Sequence, residues 1–395
     1  MSTLIGVGFS QIPDPQKATL QACVQVKNHL NTAETDLIIL FVSPAYVSQE
    51  ILEIIARTLK PKRLVGSSTG AILLSDGVTN HGIAIVGINS DEMSFGISAL
   101  TDIGNQDMRL IGFELAKKAV SDLNLPQREV FITFSEGIEK DSPPFIRGAK
   151  EVFGGGFPVI GAISSDDFKY KRLHQFFQDQ ILKNSAVGVL FGGAFNIALG
   201  CRHGFKPLGK PRTLTQVDGH VIRTIDNKPA VDIYKHFLGD QADQLKNVAL
   251  NSHAAMYPLG IYLEEAQQYL LRNIIDILQD GSIVCQGGIP QGAEVHLMIS
   301  NKDSCHLSAV IAAESVKTTL AGRQAKLILV FESLARHKIL GRSVPGEIQA
   351  IREILGHTTP LAGMCSYGEI APFGSLNNIK NIYLHNESIL IVAIA

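Results

Sequence analysis

One order of elements occurs three times along the 395-residue chain, and that repetition limits what the chain can fold into. Short apolar runs alternate with amphipathic stretches, the pattern of strands covered by helices. The first copy reads "LIGVGFS" (4–10), "QKATLQACVQVKNHL" (16–30), "DLIILFVS" (36–43), "SQEILEIIARTL" (48–59), "RLVGSSTGAI" (63–72) and "HGIAIVGI" (81–88). The second begins at "MSFGISAL" (93–100) and closes at "SAVGVLF" (185–191); the third begins at "AEVHLMIS" (293–300) and closes at "HNESILIVAI" (385–394). Each is strand–helix–strand–helix–strand–strand. "FVSP", "FSEG" and "FESL" occupy one corner of the unit, and "GSSTG", "GAISS" and "GMCSYG" another. The unit is too long for a solenoid repeat, so the copies are expected to pack on one another as duplicated half-domains.

The expected fold is α/β: layered mixed sheets with helices, built from repeated β-α-β-α-β-β units in two domains. Gly, Pro and basic residues cluster at "GCRHGFKPLGKPR" (200–212), which marks a split. The N-terminal domain is then 1–205, with repeats at about 4–90 and 93–193. The C-terminal domain is 206–395, an insert over 206–292 followed by the third repeat over 293–395. No GxGxxG follows the first strand, which disfavours a dinucleotide fold.

Composition narrows the function. The chain is 45% hydrophobic and 18% charged with a net charge of −2, enough apolar material for a core and no basic excess for nucleic acid or a membrane surface. Five scattered cysteines without a CxxC fit a reduced, cytoplasmic protein. There is no GxSxG and no HExxH, so no catalytic signature points to an enzyme, and no metal site is expected.

The densest chemistry lies near the end. Tyr367 and Glu369 are two apart and share a face if the segment is extended. A glutamate among buried strands needs a partner, and Arg272 and Arg336 each follow apolar residues. His385 and Asn386 open the last strand. These six residues either line a pocket for a small polar ligand or form structural ion pairs and satisfied turns. Cys365 reads as a buried, inert cysteine. "GSSTGA" (66–71) lacks the lysine of a phosphate-binding P-loop and reads as a tight turn.

The blocks "LVGSSTGAIL…SDGVTNHGIAIVGI", "TLTQVDGHVIRTIDNKPAVDIY", "LVFESLAR" and "GMCSYGEIAPFG…LHNESILIVAI" resemble, in order, the FIST family (FIST N plus FIST C) over nearly the whole chain. That resemblance implies an intracellular sensor of small ligands, with amino acids suggested, acting in signal transduction through a partner such as a histidine kinase; the two arginines, as partners for a carboxylate-like group, extend the expected ligands to small acids. Stand-alone bacterial members that sense nitric oxide imply haem as a cofactor, for which His203 and His253 are the ligand candidates. The family commonly carries a cysteine where this chain has Ser333; Arg336 matches.

Overall fold

The computed structural model describes residues 3–32, 34–138, 142–238, 257–376 and 379–395. The first unit comprises β1 (Thr3–Ser10), α1 (Pro15–Leu30), β2 (Leu37–Val42), α2 (Gln49–Leu59), β3 (Leu64–Ser68), a small hairpin of β4 (Ile72–Leu74) and β5 (Gly77–Thr79), and β6 (Ile83–Ser90). The second repeats it with β7 (Met93–Thr101), α3 (Met108–Leu123), β8 (Arg128–Ser135), α4 (Ser142–Phe153), β9 (Val159–Ile163), the hairpin β10 (Gln175–Phe177) and β11 (Gln180–Leu182), and β12 (Ser185–Gly193).

The third unit corrects the sequence reading. Its first strand is β13 (Ile197–Arg202), which pairs antiparallel with the chain's last strand as β1 pairs with β6 and β7 with β12. Between β13 and the unit's first helix lies an inserted sheet: β14 (Lys206–Asp218), β15 (Val221–Ile225), β16 (Lys228–Pro229), α5 (Asp232–Leu238), β17 (Leu259–Leu263), β18 (Gln268–Arg272), β19 (Ile274–Ile277), β20 (Ile283–Cys285) and β21 (Glu294–Ile299). The strand expected to open the third copy is β21, and it pairs with β14 and β17 inside this insert. The third unit resumes at α6 (Lys302–Leu320), β22 (Leu327–Ser333), the short α7 (Leu334–Leu340), α8 (Val344–Leu355), β23 (Leu361–Ser366), the hairpin β24 (Glu369–Pro372) and β25 (Ile382–His385), and β26 (Ile389–Ile394). A glycine marks the true first strand. A Cβ at Gly8, Gly96 or Gly200 would meet the carbonyl oxygen of Ala22, Ala119 or Ala312 at 2.0, 2.3 or 2.1 Å, so in every unit the first helix lies directly on a first-strand glycine. Those helices also start alike. Asp14, Asp107 and Asn301 accept backbone N–H groups of the first turn, as capping residues do.

The small hairpins change sheets in a cycle. β4–β5 add to the third unit beside β23, β10–β11 to the first beside β3, and β24–β25 to the second beside β9. Each parallel strand that would end its sheet is thereby covered by another unit, which removes an exposed edge. The inner faces of the three six-stranded sheets enclose one apolar core. At its centre stand Phe41, Phe134 and Phe331, one from each unit's middle strand, in edge-to-face contact with centroids 5.9, 6.4 and 5.8 Å apart. The other faces of β2 and its counterparts are covered by helices, so these strands are buried on both sides and read as continuous apolar runs. Among the described residues no helix is long and apolar enough to cross a membrane.

Because the three rings are fully buried and belong to three units, Phe331→Ala is expected to cost about 3–5 kcal/mol and to shift one cooperative transition. Chemical denaturation followed by far-UV circular dichroism checks this; two separated transitions would show that the units fold independently.

Candidate functional site

Matching sheet registers make the corner turns comparable. Phe41, Phe134 and Phe331 face Ser67, Ala162 and Met364 on the neighbouring strands, and Val42, Ser135 and Glu332 face Ser68, Ile163 and Cys365. The turns after β3, β9 and β23 interlock. Ser67 Oγ and Ser164 Oγ are 2.7 Å apart, the Gly70 amide donates to Ser165 Oγ at 2.9 Å, and the Cys365 amide donates to the Ala71 carbonyl at 2.8 Å. The Cys365 carbonyl accepts from both Thr69 Oγ1 (2.7 Å) and Ser165 Oγ. Hydroxyls in two turns thus exist to satisfy the backbone of the third, the use expected of buried Ser and Thr.

Beside this knot the third unit carries charge. Glu332, Arg336, Glu347, Glu369 and Glu387 are all 0% exposed. Arg336, on α7, donates to the Cys305 carbonyl at 2.7 Å, to Ser308 Oγ at 3.1 Å and to the Glu347 carboxylate; its Nε lies 3.5 Å from Glu332. Neither carboxylate oxygen of Glu332 accepts a hydrogen bond. Glu369 accepts from Ser366 Oγ and from Ser388 Oγ at 2.6 Å. Burial pushes its carboxyl up to about 8, against the pull of the two serines and Arg336. Burial likewise raises Glu332 and Glu387 well above the carboxylate range. Four carboxyls share one guanidinium, and burying an uncompensated charge is costly, so the excess acids hold protons or need another cation.

The six residues singled out in the sequence divide into groups. Arg272, at the end of β18, donates from Nε to the Gly288 carbonyl (3.1 Å) and from Nη1 to the Leu271 and Leu384 carbonyls (2.9 and 3.0 Å), bolting the inserted sheet to β25. His385 Nε2 lies 2.9 Å from the Ala371 carbonyl, and its ring sits edge-on to Phe373. Asn386 accepts the Asn273 amide and donates to the His385 carbonyl, so both polar residues at the mouth of the last strand satisfy backbone. Arg336 and Glu369 share the buried centre, although the hydrogen-bond partners of Glu369 are serines where an arginine was expected. Tyr367 leaves that centre and donates to Asp166 Oδ1 at 2.6 Å while stacking on Tyr170, centroids 4.1 Å apart. His203 is half-buried with its Nδ1 accepting the Phe205 amide at 3.0 Å, which commits one ring nitrogen. His253 lies outside the described residues.

Sequence reasoning missed Glu332 and Glu347, both of which had signals. Glu332 stands four residues before Arg336, and Glu347 lies on the apolar stripe Val344–Ile348–Ile351–Leu355 of α8. It also missed Asp166. The amides of Lys169, Tyr170, Lys171 and Arg172 all donate to its carboxylate at 2.7–3.1 Å, folding the chain into a nest around it. Asp167, Phe168 and Tyr170 adopt positive φ to make that loop. It forms one wall of a cleft of about 330 Å³ where β2, β3 and β9 end, lined also by Ser43, Gly70 and His81 and rimmed by the exposed Lys169, Lys171 and Arg172. Ligands in open α/β sheets favour such strand ends. A larger groove of about 630 Å³ follows the edge strand β1 and the β4–β5 hairpin, away from the interlocked turns. None of the described clefts is lined by Arg336, Glu369 or His385.

Raised carboxyls make stability depend on pH with a definite sign. The unfolded chain releases the Glu369 proton near 4.5 and the folded chain near 8, so within that window the folded state holds more protons and stability falls as pH rises. The slope from this group is up to about 1.4 kcal/mol per pH unit. Melting temperature measured across that window is expected to fall for the wild type and to fall less for Glu369→Gln; identical profiles would show that Glu369 is ionised throughout.

Residues 36–228 match the model of the FIST N domain and residues 230–372 that of the FIST C domain. An uncharacterised protein of Mycobacterium bovis is 23% identical over 382 residues, spanning 94% of this chain and 95% of its own. Another, from Mycobacterium tuberculosis, is 22% identical over 397 residues, with 94% and 96% covered. Among solved structures, cyanuric acid hydrolase from A. caulinodans aligns with 100% of this chain and 99% of its own at a TM-score of 0.44 and 8% identity, too distant for any site to be carried across.

Proposed function

This chain belongs to the FIST family, and from that premise we propose that it is an intracellular sensor whose ligand is a small carboxylic acid, amino acids included, bound in the cleft beside Asp166. Domains of this family are in general sensory and bind small ligands. The observation that carries the choice of cleft is its charge. Lys169, Lys171 and Arg172 rim it, while of its two acids Asp166 is saturated by four amides and a tyrosine hydroxyl and Asp167 is paired with Lys338. The volume is at the small end of the range for ligand pockets, roughly 300–1,000 Å³, which suits a metabolite of a few heavy atoms. An anion there gains charge-assisted hydrogen bonds from exposed cations that form no ion pair among the described residues.

The cleft also has a route to the rest of the protein. Tyr367 ties the Asp166 loop to the third unit, and Lys338 of α7 reaches Asp167 at 3.1 Å and the Phe168 ring at 5.5 Å. Ligand binding that reorders residues 166–172 therefore acts on α7 and Arg336. The output is a contact with a signalling partner such as a histidine kinase, and the role is binding, not turnover.

A thermal-shift and calorimetric screen of amino acids and small acids tests this. A responding ligand is expected to lose about 1.5–3 kcal/mol of affinity, roughly 10- to 100-fold in Kd, in Lys171→Ala/Arg172→Ala. No response from the wild type, or an equal response from the double variant, would contradict the assignment; conversion of any ligand during the titration would favour an enzyme.

A further inference from the structure

The buried centre contains a group of side chains that neither the cleft nor the fold explains. Glu332, His337 and Cys365 each offer a donor atom, and the three atoms lie within 4.8 Å of one another. Their placement is set by backbone geometry. Glu332, the last residue but one of β22, lies directly beside Cys365 on β23, and α7 turns back so that His337 reaches the same spot. Among the described residues neither oxygen of Glu332 accepts a hydrogen bond, the carboxyl abutting that of Glu347 and Arg336 Nε, and Nδ1 of His337 is buried without a partner. Native proteins rarely leave such atoms unpartnered, and those that are so left call for an ion, a water or a function.

We propose that Glu332, His337 and Cys365 hold a divalent transition metal, with zinc the best match, leaving a fourth position for water or a small ligand. A thiolate and an imidazole select zinc or cobalt over magnesium or calcium, and one carboxylate completes a three-ligand set of the open kind. Donors bound at about 2.0–2.3 Å around a tetrahedral zinc stand roughly 3.3–3.8 Å apart, so the group closes by about 1 Å on binding. His337 can make that movement because it is only half-buried on a helix of 7 residues. Cys365 is held fast, its amide and carbonyl both bonded to the other two units, which is the outer-shell support a metal ligand needs.

Charge supports the same conclusion. Arg336 is anchored by Glu347, Ser308 and the Cys305 carbonyl and does not hydrogen-bond to Glu332. Glu332 faces Cys365 and His337, and its cationic neighbour, Arg336 with Nε 3.5 Å away, is shared with the other carboxyls of a region where acids outnumber cations. A dication offsets a thiolate and a carboxylate here, and the thiol proton of Cys365 and the carboxyl proton of Glu332 leave to solvent as the metal–sulfur and metal–oxygen bonds form. Lys338, next to His337, contacts the cleft loop, so metal occupancy and the loop are mechanically joined; the metal assignment itself does not depend on the cleft's ligand.

The full chain, stripped with a chelator, is titrated with Co(II) and with Zn(II) against a chromophoric competitor. The expected result is one equivalent per chain, a near-ultraviolet thiolate-to-cobalt band, tetrahedral-type visible bands and a raised melting temperature. His337→Ala, at a half-buried position on a short helix, is expected to weaken zinc at least 10-fold while keeping the wild-type circular dichroism, and Cys365→Ser to abolish the thiolate band, while Cys285→Ser keeps both. Absence of stoichiometric uptake, or unchanged affinity and spectrum in His337→Ala and Cys365→Ser, would overturn the proposal.

Discussion

Three buried phenylalanines meeting edge to face, one from each unit, set the frame on which everything else depends. For Phe41, Phe134 and Phe331 to meet, three sheets must close around a single core. For the sheets to close, their exposed edges must be covered, which the cyclic exchange of hairpins achieves. Dispersion and apolar burial in that core are non-directional and alike in all three units. They build symmetry, and they leave the strand ends free to differ.

The proposed function draws on those differences. The position that is Val42 in the first unit and Ser135 in the second is Glu332 in the third. Beyond it the chain runs through Ser43 into a single 3-10 turn (Pro44–Tyr46) in the first unit, and through Ser333 into α7, with the buried Arg336, in the third. So one strand-end junction is an exposed cleft lined by lysines, and another is filled with four carboxyls and a guanidinium. The fold places the two next to each other and joins them through Tyr367–Asp166 and Lys338–Asp167. On the proposed function, a binding event at the open junction would be passed to the packed one through these two contacts.

The repeat was legible because strand and helix periodicities are local and because fold-critical glycines and caps recur with them. The hairpin exchange was not legible, since "AILLSDGVTN" reads as a turn region whichever sheet it joins. The first strand of the third unit was misplaced because the chain leaves after Arg202 and returns only at Lys302, with a strand, Glu294–Ile299, in the expected place. For the site, the sequence pointed to Arg336, Tyr367 and Glu369 but not to how they pair. Glu332 and Glu347 reach Arg336 by tertiary packing, and the Asp166 nest depends on four successive amides turning inward, which no side-chain pattern reports. In this structure His385 Nε2 and the Asn386 amide serve backbone groups.

The central claim is that the cleft loop and the buried centre are one mechanical unit tied by the Tyr367 hydroxyl. Hydrogen exchange of the wild type against Tyr367→Phe measures this directly. Loss of a hydrogen bond to a carboxylate is worth about 1.5–3 kcal/mol. The expected result is faster exchange at the amides of residues 169–172 together with faster exchange in α7. Unchanged exchange in α7, with any effect confined to the loop, would contradict the coupling.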